Sequence, residues 1–202
     1  MEATWPLLSV LIWLPIVGGL LTLAFGDARA HQAKAFALLV SLATLVASLF
    51  LFAGHDYASA AMRFVEDHPW IPSFDNHYNL SADGIAVALL LRNALITVLT
   101  LAGAWGSVNK RVAQYVAAFL ILEGLTNGIF AASDAVLFYV FFEAMLIPMF
   151  LIIGVWGGPR RIYASLKFFL YTFLGSVLML VGLVYLYIKG GSFQLADLYA
   201  MP

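Results

Sequence analysis

Four charged side chains sit inside apolar stretches of this sequence: Arg92, Glu123, Glu143 and Lys167. The two glutamates flank Ser133 symmetrically, 10 positions before it and 10 after it. At about 1.5 Å of rise per residue, a pair of helices turning at Ser133 carries both carboxyls to a depth of roughly 15 Å. Burial in hydrocarbon disfavours the charged form of a carboxyl, and two such groups at equal depth on consecutive helices suit a lateral proton relay. The other reading of each is a structural carboxyl, protonated and hydrogen-bonded to a neighbouring helix. Pro148 follows Glu143 by five residues and removes one backbone donor near it, as a hinge, a point of hydration or a plain structural kink. Gly124 and Gly128 form a GxxxG pair beside Glu123, which lets a neighbouring helix approach closely. Lys167 shares a helix face with Tyr171 and Gly175, either as an interfacial anchor reaching outward or as the start of a polar path inward. Arg92 is effectively never deprotonated, so it fits snorkelling or an external partner better than proton transfer.

The elements that hold these residues must be membrane spans. Hydrophobic residues make up 63% of the 202 positions and charged ones 10%, with a mean hydropathy of +0.96. A soluble domain is about one quarter charged, so this chain has too little polar surface to wrap a core in water. Apolar runs near the 20-residue length of a bilayer crossing extend over Trp5–Phe25, Ala33–Ala53, Gly84–Ser107, Val112–Ala132, Asp134–Val155 and Ile162–Ile188. The first carries Glu2 ahead of it and Pro15 within it, which marks a retained helix instead of a secretion signal. The fold class expected is an all-α integral membrane protein of about six transmembrane helices.

The remaining charges orient the spans. Arg29, Lys34, Lys110, Arg111, Arg160 and Arg161 fall in the loops of one side, against Arg63 and Lys189 on the other. That second side holds Glu2, Asp56, Glu66, Asp67, Asp75, Asp83, Asp134 and Asp197. By the positive-inside rule both ends of the chain face away from the cytoplasm. The long connection from Gly54 to Asp83 is expected to form a hairpin or surface helix over the outer face, with Trp70 and Tyr78 as interfacial anchors. The organisation expected is two amino-terminal helices over 1–53, an outer loop over 54–83, a third helix and inner loop over 84–111, and a three-helix unit over 112–202.

Zero cysteines exclude a disulfide framework, a cysteine-held iron-sulfur cluster and a cysteine-held zinc on this chain. No glycine pattern of the dinucleotide-binding kind follows a strand. His31, His55, His68 and His77 are expected in loops without ligand spacing, and solvation is the default reading over a metal site. A net charge of −1 gives no reason to expect a nucleic-acid partner.

The stretch Phe138-Tyr139-Val140-Phe141-Phe142-Glu143-Ala144-Met145-Leu146-Ile147-Pro148-Met149 is followed by Ile153-Gly154-Val155-Trp156-Gly157-Gly158, Arg161, Ala164, Lys167-Phe168-Phe169 and Tyr171-Thr172. Together with Pro69-Trp70-Ile71-Pro72 and Asn79-Leu80-Ser81-Ala82-Asp83-Gly84-Ile85, this resembles the antiporter-like subunits of bacterial respiratory complex I, the proton-pumping NADH:quinone oxidoreductase, and among them the amino-terminal part of subunit M. The resemblance implies a subunit of the bacterial inner membrane that translocates protons, driven by electron transfer elsewhere in the complex. It implies no cofactor on this chain, with NADH, FMN, iron-sulfur clusters and quinone in partner subunits, and other membrane subunits of complex I as its partners. By the same resemblance Glu143 matches the essential glutamate of the family's fifth helix, Glu123 a glutamate of the fourth, and Lys167 a lysine common at that place; Arg92 matches none. The family pairs its fifth-helix glutamate with a lysine on a seventh helix, which this sequence lacks. The 112–202 unit is then the start of the first antiporter-like repeat, the chain a fragment, and independent pumping is not expected of it. The motif around Glu143 is shared with cation/proton antiporters and membrane-bound hydrogenases, and a purely structural bundle is the third reading.

Overall fold

The computed structural model describes residues 6–55, 62–71 and 76–199. Trp5, Glu2, Asp56, Pro72, Asp75 and the closing Met201-Pro202 lie outside the described residues. The helices are α1 (Leu7–Leu23), α2 (Ala30–Gly54), α3 (Gly84–Gly103), α4 (Val112–Ala131), α5 (Ala135–Trp156), α6 (Arg161–Gly190) and a short α7 (Leu195–Tyr199). Five of them, α2 to α6, are long and apolar enough to cross a membrane, and α1 adds 17 residues. Each expected span is a helix. The last runs further than hydropathy suggested, its 30 residues reaching about 45 Å, so α6 must tilt or project beyond the hydrocarbon. Three histidines also differ from expectation: His31 lies in the first turn of α2, and His68 and His77 lie in the two strands that follow α2, instead of in loops.

Between α2 and α3 the chain forms an antiparallel hairpin, β1 (Arg63–Ile71) against β2 (Asn76–Ala82), with Glu66 opposite Leu80 and His68 opposite Tyr78. The hairpin supplies what α1 lacks. No side chain next to α1 caps its first turn, and four orphan N–H groups at the head of a helix need acceptors. The Glu66 carboxylate accepts from the Leu8 N–H at 2.8 Å and the Ser9 N–H at 3.2 Å, and from the Ser9 hydroxyl. Tyr78 is bound through its hydroxyl to Ser9 and to the Trp13 indole N–H.

Two other helices, α3 and α5, are capped by the residue just before them. The Asp83 carboxylate accepts the Ala86 N–H at 2.7 Å, and Asp134 accepts those of Val136 and Leu137 at 2.9 and 3.0 Å. Burial pushes the Asp134 carboxyl above its ordinary range, against the pull of those two N–H groups and of nearby His77. At the opposite end of the bundle the Lys34 ammonium donates to the Trp105 and Val108 carbonyls, at 2.6 and 2.9 Å, tying α2 to the C-terminal end of α3. The Trp156 indole donates to the Lys110 carbonyl at 2.9 Å and ties α5 to the head of α4.

Helix α4 is the axis of the bundle, packed against α1, α2, α3 and α5, while α6 lies on α5. Only Ser165 and Ser176 of α6 are buried, and most of its apolar side chains face outward. Around α4 the core divides into two clusters. One, with Leu8, Leu11, Ile12, Leu51, Leu90 and Phe141, lies toward the hairpin; the other, with Ala33, Ala37, Leu101, Val116 and Leu120, lies toward the opposite end.

Candidate functional site

The α1–α4 seam is built on glycine and proline. A Cβ on Gly124 would collide with the Ile12 carbonyl oxygen, and one on Gly19 would sit 2.9 Å from the Ala117 carbonyl oxygen. The two backbones therefore touch at Gly124 and Gly19, whereas Gly128, the other member of the expected pair, packs on Phe141 of α5. Pro15 lies inside α1 and is buried. Because proline has no N–H, the carbonyl of Leu11 loses its intrahelical donor. The Asn127 side-chain amide takes that place, donating to the Leu11 carbonyl at 2.9 Å. Asn127 accepts in turn from the Asn93 amide at 2.9 Å, and Asn93 also donates to the Glu123 main-chain carbonyl at 3.1 Å. One polar chain thus crosses α1, α4 and α3 in the middle of the bundle.

Glu123 lies one turn before Asn127 on the same face of α4. It is 1% exposed, and neither of its carboxyl oxygens has a partner among the described residues. Sequence reasoning identified Glu123 from its charge alone. It missed Asn93, Asn127 and Pro15, although a proline four residues after an apolar position, with asparagines on other spans, is the signal that could have pointed to them.

Glu143 sits in a different seam. Gly154 of α5 packs on Ser165 of α6, with the Cβ position 3.2 Å from the hydroxyl, and Phe150 meets Phe169 edge-on at 5.7 Å. Continuing that register puts Glu143 level with Ser176. Tyr139, one turn before Glu143, interacts with both the Glu143 carboxyl and the Ser176 hydroxyl. One Glu143 carboxyl oxygen is buried without a partner among the described residues. Pro148 is buried in the same helix and leaves the Ala144 carbonyl, next to Glu143, without its intrahelical donor.

The two carboxyls share a layer but not a seam. Gly128 packs on Phe141, and the Thr126 hydroxyl lies 3.7 Å from the Met145 sulfur. These contacts bracket Glu143 and set its depth within about one helical turn of Glu123. Thr126, which meets α5, and Asn127, which meets α1 and α3, stand three and four residues after Glu123, so Glu123 lies on α4 between the two seams. Both Glu123 oxygens are without a partner among the described residues, so a proton passing between the two carboxyls needs bridging groups or water.

Lys167 is brought to neither carboxyl. It is exposed on the side of α6 opposite Ser165 and Ser176, its ammonium 5.8 Å from the Tyr163 ring and 5.5 Å from the Tyr171 ring. Arg92 is exposed on α3. Among the described residues no group of three or more His, Asp or Glu side chains gathers as a metal site requires.

Comparison with known proteins addresses the same helices. The family described as NADH:quinone oxidoreductase/Mrp antiporter, transmembrane, matches residues 132–201, which include Glu143 and Lys167. Subunit M of NADH-quinone oxidoreductase from Rhodobacter capsulatus is 48% identical over 196 residues, covering 95% of this chain and 38% of that protein. In the solved structure of respiratory complex I from Thermus thermophilus with bound NADH, one chain superposes with a TM-score of 0.83 at 31% identity, over 96% of this chain and 39% of that one. The chain belongs to the antiporter-like membrane subunits. A chain of the Mrp complex from Dietzia shares the fold of this antiporter-like chain with a TM-score of 0.81 at 16% identity, over 96% of this chain and 21% of that one. The antiporter-like chain spans about two fifths of the length of the curated relatives it matches, 38% and 40% for the first two.

Proposed function

We propose that this chain is part of a subunit of NADH:quinone oxidoreductase that moves protons across the membrane, driven by electron transfer in partner subunits. The observation that carries the reading is Glu143, an intramembrane carboxyl with one buried, unpartnered oxygen in the α5–α6 seam, next to a proline that loosens the backbone. Such a group binds and releases protons as its surroundings change, and intramembrane carboxylates mark ion pathways by default. In this reading Glu143 is the principal proton carrier, Glu123 a second site coupled to it through α4, and Pro148 the break that lets the path hydrate. Lys167, on the far face of α6, acts at a later step toward the rest of the subunit. Residues 112–202 open the first antiporter-like repeat.

The chemistry of NADH, FMN, iron-sulfur clusters and quinone belongs to partner subunits, and the neighbours of this chain are the other membrane subunits of the complex. The loop charges support a place in the bacterial inner membrane with the hairpin and both chain ends on the periplasmic side.

The test is Glu143→Gln in the full-length subunit, assembled in its membrane. The substitution keeps size and hydrogen-bonding shape and removes only the titratable proton. Inverted vesicles carrying it are expected to oxidise NADH with severalfold less acidification of their interior per electron. Undiminished acidification would overturn the role of Glu143. The likeness to the Mrp fold supports a second reading, a subunit of a cation/proton antiporter or membrane-bound hydrogenase. That reading takes over if the full-length subunit exchanges sodium for protons without dependence on NADH or quinone.

A further inference from the structure

The chain of amides across α1, α3 and α4 has a direction that its ends dictate. The Leu11 carbonyl, left open by Pro15, can only accept, so the Asn127 amide nitrogen must face it and the Asn127 oxygen must face Asn93. Asn93 must therefore donate, and it donates twice, to Asn127 at 2.9 Å and to the Glu123 carbonyl at 3.1 Å. Both hydrogens of the Asn93 amide are thereby engaged, one turn from a carboxyl with two unpartnered oxygens. Among the described residues no cation or acid bonds that carboxyl from the packed helices: α1 has no charged residue, Lys34 of α2 is tied at the end of the bundle, Arg92 of α3 is exposed, and Glu143 of α5 lies with Tyr139 and Ser176.

We propose that Asn127 is a positioning residue for Glu123: anchored on the Leu11 carbonyl that Pro15 leaves open, it engages the Asn93 amide and so keeps that donor off the Glu123 carboxyl. Freed from a fixed protein partner, the carboxyl exchanges its proton with water entering the seam. The functional weight of this arrangement rests on Glu123 being a proton site as proposed above; its geometry does not.

The arrangement is tested in the full 202-residue chain by the infrared carbonyl band of Glu123. The band is recorded at a pH low enough to protonate every carboxyl and is assigned by its loss in Glu123→Gln. Pro15→Ala restores a backbone donor to Leu11, so this background stays folded when Asn127 is changed. Within it, Asn127→Leu removes the acceptor for Asn93, whose released N–H turns to the nearest unpartnered oxygens. The Glu123 band is expected to shift to lower wavenumber, and Asn93→Leu added to the pair is expected to shift it back. With Pro15 in place, Asn127→Leu is expected to cut the yield of monodisperse protein severalfold, and by much less in the Pro15→Ala background, where Leu11 has its own donor. A Glu123 band that stays put on Asn127→Leu, or an equal loss of yield in both backgrounds, overturns the proposal. None of these measurements involves pumping, so failure here is distinct from failure of Glu143→Gln to slow it.

Discussion

Gly124→Ala puts one methyl into the tightest seam of the bundle. The added carbon meets the Ile12 carbonyl oxygen, lies 2.6 Å from Ile16 Cγ1, and lies 3.1 Å from Ile16 Cδ1. The Ile16 side chain can rotate away, but the carbonyl is backbone. Non-bonded carbons rest about 3.5–4.0 Å apart, so α1 has to retreat by roughly 1 Å along this line. Overpacking of this kind costs about 1–3 kcal/mol. The retreat also stretches the 2.9 Å bond from Asn127 to the Leu11 carbonyl, and losing it adds about 1 kcal/mol. Alanine recovers about 0.5–1 kcal/mol of helix backbone entropy. The balance is a destabilisation of about 1–3 kcal/mol, dominated by the steric term. Equilibrium unfolding of the purified chain in mixed micelles, followed by tryptophan fluorescence, measures it. Gly182→Ala is the control, since a Cβ there meets nothing within 4 Å, and only its helix-propensity gain remains. If Gly124→Ala and Gly182→Ala shift the unfolding midpoint in the same direction, the close approach of α1 to α4 is wrong.

Two further substitutions probe the hairpin end. Glu66→Ala removes the carboxylate that accepts from the first turn of α1 and is expected to cost about 1 kcal/mol, as for the loss of a helix cap; faster protease cleavage between α2 and α3, at unchanged helix content, reads it. Asp134 holds its proton to higher pH in the folded chain than in the unfolded one, because burial raises it. The folded state therefore binds more protons across that interval, and the stability due to Asp134 falls as pH rises from the ordinary carboxylate range into the raised one. Asp134→Asn keeps a good capping residue and is expected to flatten this slope in pH-dependent unfolding, and an unchanged slope refutes the burial argument.

The helices were legible in the sequence because crossing hydrocarbon demands length and apolarity, and both are one-dimensional properties. Glu123 and Glu143 were legible for the same reason, as charges in the wrong solvent. Their facing was not. Around α4 nearly every direction meets another helix, so no apolar stripe tells which side Glu123 takes, and depth alone could not say that its carboxyl oxygens lack a partner. Lys167 shows the limit in another form: its spacing with Tyr171 was right, and the two do share a face, but only the burial of Ser165 and Ser176 reveals that this face points away from Glu143. The Asn127 bond to Leu11 spans 116 positions and follows from Pro15 only once the α1–α4 register is known.

Lys34 is both a topological signal and a structural tie. Its charge is one of those that distinguish the two sides of the membrane, yet its ammonium also holds the frayed end of α3 through two carbonyls. An experiment that neutralises it to ask which way the chain inserts would at the same time loosen α2 from α3, and a misfolded product would masquerade as an inverted one. Arg160, exposed in the short α5–α6 connection, and Arg161, exposed at the head of α6, are the charges to move if orientation is to be read separately from folding.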